Sequence, residues 1–122
     1  MLKRILVAVD GTASSWRALE YASGLAELSK GTLVIVTVST EKGQDILHQA
    51  RMLMDSREDV ETEYILENGS HPASKILEVE KREHCDSIVT GTRGLGTVEA
   101  LLRSSVSQTL MEEADVPLIV VK

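Results

Sequence analysis

Four short runs of aliphatic and β-branched residues, each continuous rather than alternating, constrain this chain more than any other feature. They are Ile5-Leu6-Val7-Ala8-Val9, Leu33-Val34-Ile35-Val36-Thr37-Val38, Ser87-Ile88-Val89-Thr90 and Leu118-Ile119-Val120-Val121. A strand that is apolar at nearly every position has no face to offer water, so it belongs in a parallel sheet covered on both sides. A fifth run, Val60-Glu61-Thr62-Glu63-Tyr64-Ile65-Leu66-Glu67, alternates instead and carries carboxylates. That pattern predicts an edge strand, where outward charge discourages pairing between molecules.

Amphipathic segments separate the runs. The spacing predicts a helix over 12–30, with Ala18, Ala22, Leu25 and Ala26 inward and Gly31 as the stop signal. A second spans 40–56, with Ile46, Ala50 and Leu53 together. A third opens at His71-Pro72, proline standing where its missing N–H is harmless, with Ala73, Ile76 and Val79 inward. A fourth runs from Ser105 to Ala114 on Val106, Leu110 and Ala114, and Pro117 opens the last strand. Strand and helix alternating in this way imply right-handed βαβ units and a doubly wound α/β sheet of five parallel strands, order 3-2-1-4-5, in one domain over 1–122. Ligands of such sheets sit beyond the carboxyl ends of the strands where strand order reverses, here between the first and fourth strands. Those strands end in Ala8-Val9-Asp10-Gly11 and in Thr90-Gly91-Thr92-Arg93-Gly94.

Composition narrows the classes of function. Hydrophobic residues make up 43% of the chain, yet it has one Trp, two Tyr and no Phe, so its core is aliphatic and rich in alanine. Net charge is −6, and no basic cluster interrupts it, which argues against a broad nucleic-acid surface. The chain enters its first strand with no signal-peptide layout, and no apolar stretch approaches the ~20 residues of a membrane span. A cytoplasmic protein with no membrane partner is expected. Cys85 is the sole cysteine and reads as a buried structural thiol. His48, His71 and His84 share no metal-ligand spacing and read as surface residues. Trp16 and the Met52/Met54 pair read as packing.

The chemistry concentrates in Gly91-Thr92-Arg93-Gly94-Leu95-Gly96 and in Ser104-Ser105-Val106-Ser107-Gln108. A buried strand running into glycines exposes backbone N–H groups to an approaching anion. Ser105 and Gln108 stand in capping-box spacing, so the free N–H groups and positive dipole end of the fourth helix open nearby. This is a phosphate-binding pattern. The same glycines also suit a plain tight turn, Arg93 suits a phosphate or solvent, and Ser105 caps its helix with or without a ligand.

Taken together these segments resemble the universal stress protein family over essentially the whole length. The strand–Asp-Gly–helix opening of residues 5–12, with Ala18-Leu19-Glu20-Tyr21-Ala22, is similar to that family's start. So are Gly69-Ser70-His71-Pro72-Ala73 and the run from Asp86 to Gly94. The resemblance implies an adenine-nucleotide alpha-hydrolase-like fold. Its ATP-binding branch carries glycine, two residues, glycine, nine residues, then glycine with Ser or Thr. Gly91, Gly94 and Ser105 fit this pattern, whereas Ser104 replaces the third glycine.

On this resemblance Asp10 contacts the ribose region or a Mg²⁺ ion, and its place at the crevice favours that role over a plain Asp-Gly turn that starts the next helix. Val9 and Val38 offer backbone N–H and C=O groups, with Val38 facing adenine. Ser105 and Val106 reach the phosphates beside Gly91, Arg93 and Gly94, and Ala8, Thr90, Ser104 and Ser107 complete the expected nucleotide-binding set. The expected ligand is ATP, with or without Mg²⁺, and the expected partner is a second copy paired through Leu118, Ile119, Val120 and Val121. No P-loop lysine, nucleophile elbow or paired carboxylates accompany the site, so the expected role is regulatory, slow hydrolysis remaining compatible with it. The alternative is a nucleotide-free dimer that acts through partner binding, which Ser104 favours. An ATP-dependent ligase lacks its substrate domain here, and a phosphoacceptor receiver lacks the clustered acids, since Asp10 stands alone.

Overall fold

The computed structural model describes residues 2–39, 41–92 and 105–122. Among them the elements follow the order β1 (Arg4–Ala8), α1 (Ala13–Ser29), β2 (Thr32–Val38), α2 (Gly43–Met54), β3 (Glu61–Glu67), α3 (Pro72–Arg82), β4 (Ser87–Gly91), α4 (Ser105–Glu113) and β5 (Leu118–Val121). All five strands are parallel, in the order β3-β2-β1-β4-β5. This is the doubly wound sheet expected from the continuous apolar runs.

Successive side chains of each strand enter opposite layers. Ile5, Val7, Val9, Leu33, Ile35 and Val89 pack against Ala18, Leu19 and Ala22 of α1 and Leu47, Ala50 and Met54 of α2. Leu6, Val34, Val36 and Ile88 pack against Ala73, Ile76 and Val79 of α3 and Val106 and Leu110 of α4. Small residues on the buried side of α1, among them Ser14, Ala18, Ala22 and Ala26, let it lie close to the sheet. Thr12 caps α1, its Oγ1 accepting the Ser15 N–H at 3.3 Å.

The end of the sheet remote from the β1–β4 carboxyl termini is closed by charge. The Arg4 guanidinium donates to both carboxylate oxygens of Glu63 (3.1 and 3.2 Å) and to the Glu83 carbonyl (2.8 Å). Asp86 accepts the Lys3 N–H at 2.7 Å. The carboxylates of β3 therefore do more than keep the edge wet: Glu63 holds β1, and Glu67 pairs with Arg82 at 3.5 Å.

Two expectations need correction. In α2 the buried residues are Gly43, Leu47, Ala50 and Met54, while Leu53 is 53% exposed and Ile46 lies at the border. The inward stripe is thus rotated by about one residue, and Met54 is core whereas Met52 is exposed. At the end of α1 the left-handed residue is Lys30 (φ 55°), not Gly31. Gly31 is required for another reason: a Cβ there would run into the carbonyl oxygens of Leu2 and Lys3.

Candidate functional site

β1 and β4 part company at their carboxyl ends. Their last paired residues are Val7 and Val89. Beyond them Val9 donates its N–H to Val36 of β2 at 2.9 Å, and Thr92 donates to Val121 of β5 at 3.1 Å. Each strand leans towards its outer neighbour, and a crevice opens between them. This is the reversal point of the sheet, the position at which doubly wound folds bind ligands.

The crevice encloses about 530 Å³ with its open mouth included. Its walls are Ala8, Val9, Asp10 and Thr12 from the β1–α1 corner, Ser15 of α1, Val38 of β2, Pro72 and Ile76 of α3, Thr90 and Gly91 of β4, and Val106 of α4. Seven residues singled out in the sequence therefore come together: Ala8, Val9, Asp10, Val38, Thr90, Gly91 and Val106. Arg93, Gly94, Gly96 and Ser104 lie outside the described residues. The backbone of Ser105 and Ser107 belongs to the first turn of α4.

Thr12, Ser15, Pro72 and Ile76 line the crevice without having been anticipated there. Pro72 and Ile76 were legible as the start and inner face of a helix. That this helix opens on the same edge as β1 follows from the topology, since every helix of a parallel sheet begins at the carboxyl end of the strand before it.

Asp10 is at the mouth and exposed. Its Oδ1 accepts the Thr12 N–H at 3.0 Å and the Thr12 hydroxyl at 2.6 Å, and Gly11 completes the turn at φ 87°. The Asp10 N–H donates to Ser15 Oγ at 3.3 Å, and that hydroxyl donates to the Thr12 carbonyl at 2.8 Å. The carboxylate thus organises the start of α1 and is held rigidly at the crevice. Val9 is corrected in one respect: its N–H is committed to Val36 and is not available to a ligand. Gly91 acts in the wall through its smallness. It needs no left-handed backbone, but a Cβ there would stand 2.6 Å from the carbonyl carbon and oxygen of Ser14. Its smallness brings α1 against β4 at the wall of the crevice.

Electrostatically the site joins one acid to several helix ends. Asp10 is the one charged residue among the described lining. α2 and α3 begin without a side-chain cap hydrogen bond, and α4 begins beside Val106. Uncapped first-turn N–H groups and aligned peptide dipoles favour anions at that edge. A second hollow of about 840 Å³, mouth included, shares Asp10 and Val38 and adds Ser39, Glu41, Lys42, Ile46, Gly69 and Ser70. The apolar crevice therefore continues into a wider polar one. Among the described residues no group of three or more His, Cys, Asp or Glu side chains is placed to hold a metal ion, and no helix is long and apolar enough to cross a membrane. Cys85 stands at the opposite edge of the sheet, buried, its thiol pushed up to about 12 chiefly by desolvation.

The family model described as the universal stress protein family matches residues 1–122. A universal stress protein of Thermus aquaticus is 31% identical over 137 aligned positions, covering all of both chains. The stress response protein NhaX of Bacillus subtilis is 32% identical over 67% of this chain and 48% of its own. Among solved structures, a universal stress protein of Archaeoglobus fulgidus superposes with a TM-score of 0.84 at 29% identity, over 99% of this chain and 45% of that longer one. A universal stress protein solved in complex with cAMP superposes equally well (0.84) at 24% identity, over 98% of this chain and 96% of that one. Another from Archaeoglobus fulgidus, solved with dAMP, gives 0.74 at 22%, over all of both.

Proposed function

The chain belongs to the universal stress protein family, and from that premise we propose that it binds an adenine nucleotide, ATP foremost, in the crevice between β1 and β4. The observation that carries this reading is the convergence of Ala8, Val9, Asp10, Val38, Thr90, Gly91 and Val106 on one hollow at the reversal point of the sheet. Val38, Ile76, Pro72 and Val106 supply apolar walls for a base. Asp10 offers a carboxylate to ribose hydroxyls, and is the acid on hand for a Mg²⁺ ion accompanying the phosphates. The first turn of α4, which follows the Gly91–Gly94 pattern in sequence, offers backbone N–H groups to phosphate oxygens. Two relatives of this fold were solved holding cAMP and dAMP, which supports an adenine ligand.

The role is regulatory: the nucleotide shifts a conformation or a partner affinity in a cytoplasmic homodimer. Support for the dimer comes from β5, a half-buried strand at the sheet edge. Apolar residues flank it. Arg17 of α1 reaches the Lys122 carbonyl just past β5 (2.5 Å), and Tyr21 and Leu28 share the Arg17 side of the helix, 51% and 86% exposed. The second reading, a nucleotide-free dimer, rests on Ser104 in place of the motif glycine.

Calorimetric titration with ATP and Mg²⁺, with GTP as control, tests the proposal. Saturable heat with ATP is expected, and Asp10→Asn is expected to weaken binding by about tenfold or more, since hydrogen bonds to a charged acceptor contribute ~1.5–3 kcal/mol. Absence of heat together with no displacement of a fluorescent ATP analogue overturns it. A large gain on Ser104→Gly would then assign the native chain to the nucleotide-free reading.

A further inference from the structure

Glu80 is the one acid among the described residues that is buried to more than nine-tenths, and its Oε1 has no hydrogen-bond partner among them. It sits in the last turns of α3, on the side that also buries Ala73, Ile76 and Val79. α3 packs against α4, and the Lys81–Asp115 ion pair at 3.9 Å places the end of α3 beside the turn that follows α4. The groups acting on Glu80 come from each neighbouring piece. Asp115, after α4, opposes its ionisation and Lys81, on its own helix, favours it. The Cys85 thiol in the α3–β4 turn feels it as a like charge, and the Cys85 N–H bonds the Glu80 carbonyl at 2.9 Å.

A carboxylate in this position is expensive, because no donor among the described residues replaces the water its Oε1 has lost, whereas the neutral acid fits at far lower cost. Burial, then Asp115, raise the proton affinity of Glu80 above that of an ordinary glutamate. Both α3 and α4 run from the crevice, α3 lining it with Pro72 and Ile76 and α4 with Val106.

We propose that Glu80 is a proton-operated wedge between α3 and α4: neutral, it lets the helices close, and ionised, it draws in water and loosens the pair that walls the crevice. The sign follows from linkage. The folded state keeps a proton that the unfolded chain gives up at lower pH. The contribution of Glu80 to stability is therefore intact below the usual glutamate range, and falls as pH rises through its elevated titration. The consequence for a ligand, which rests on the nucleotide reading above, is an affinity that declines over the same rise in pH.

The test has a ligand-free arm that decides the proposal. The Glu80 carboxyl carbon is followed by NMR in the intact protein from pH 4 to pH 8, beside melting temperature and amide exchange of α3 and α4. Expected are a Glu80 midpoint above that of free glutamate and a wild-type melting temperature that falls with pH. Faster exchange in the two helices, after correction for intrinsic rates, should accompany that fall, and Glu80→Gln should flatten both slopes. Asp115→Asn, which leaves Glu80 in place, should shift the midpoint and the slope to lower pH. A Glu80 midpoint at or below the ordinary glutamate value, or an unchanged slope in Glu80→Gln, overturns the wedge. ATP titration at pH 5.5 and pH 8 forms a separate arm. Absence of binding at both values sinks the nucleotide reading while the exchange data still decide the wedge. Binding that is equally pH-sensitive in wild type and Glu80→Gln removes Glu80 from its control.

Discussion

At Gly91 and Ser14 the sheet and α1 come into backbone contact, and this single approach fixes one wall of the crevice. An added methyl at Gly91 would stand 2.6 Å from the Ser14 carbonyl group, so helix or strand must move, and overpacking of this kind costs ~1–3 kcal/mol. Gly24, midway along α1, has open space within 4 Å of where a Cβ would stand, and alanine there gains up to ~1 kcal/mol of helix propensity. Urea unfolding of Gly91→Ala and Gly24→Ala should therefore give midpoints displaced in opposite directions. Equal midpoints would show that α1 can retreat from β4 freely. The residue letters revealed that Gly91 is special but not why. A glycine after a strand suggests a positive φ or an approaching ligand, and only the packed helix shows that the close neighbour is the protein itself. Asp10 differs, because its Asp-Gly-Thr spacing already encoded the turn that the Thr12 hydrogen bonds display.

Among the elements, the strands were the most legible part of the fold, since a continuous apolar run of four to six residues allows few alternatives to a doubly covered strand. α2 was the least legible. Its apolar residues, Ile46, Leu47, Ala50, Met52, Leu53 and Met54, contain two overlapping stripes of helical period. Burial of Leu47 and Met54 rather than Leu53 is decided by how the helix lies on β2 and β3. The join between α1 and β2 shows the same division of labour. Lys30 holds a left-handed conformation at φ 55° and ψ 37°, a strain of ~1 kcal/mol that glycine would not carry. Lys30→Gly should accordingly raise stability by up to that amount in urea unfolding. Gly31→Ala should lower it, because the Leu2 and Lys3 carbonyls occupy the space a Cβ needs. A gain from Gly31→Ala would mean that the Leu2 and Lys3 carbonyls give way to a Cβ without cost.

For the whole molecule, the two edges of the sheet are treated differently. β3 carries Glu61, Glu63 and Glu67, two of them ion-paired to Arg4 and Arg82, and such an edge resists pairing. β5 has four aliphatic residues and no charge. Pro117 and Val121 turn their carbonyls to Ile88 of β4 and to Thr92 just past it. Backbone groups of alternate residues face opposite ways, so those of Leu118 and Val120 face outward, unpaired by the sheet. A second copy related by a twofold axis would satisfy them strand to strand and cover Tyr21 and Leu28 of α1 at the same time. Light scattering on the purified protein should give twice the chain mass. Val120→Pro removes an outward N–H while leaving the β4 ladder intact, and proline is tolerated at a sheet edge. It should yield a folded monomer with an unchanged circular dichroism spectrum. A monomeric wild type, or a Val120→Pro protein that stays dimeric, would place the contact elsewhere and leave the charge-free edge without its explanation.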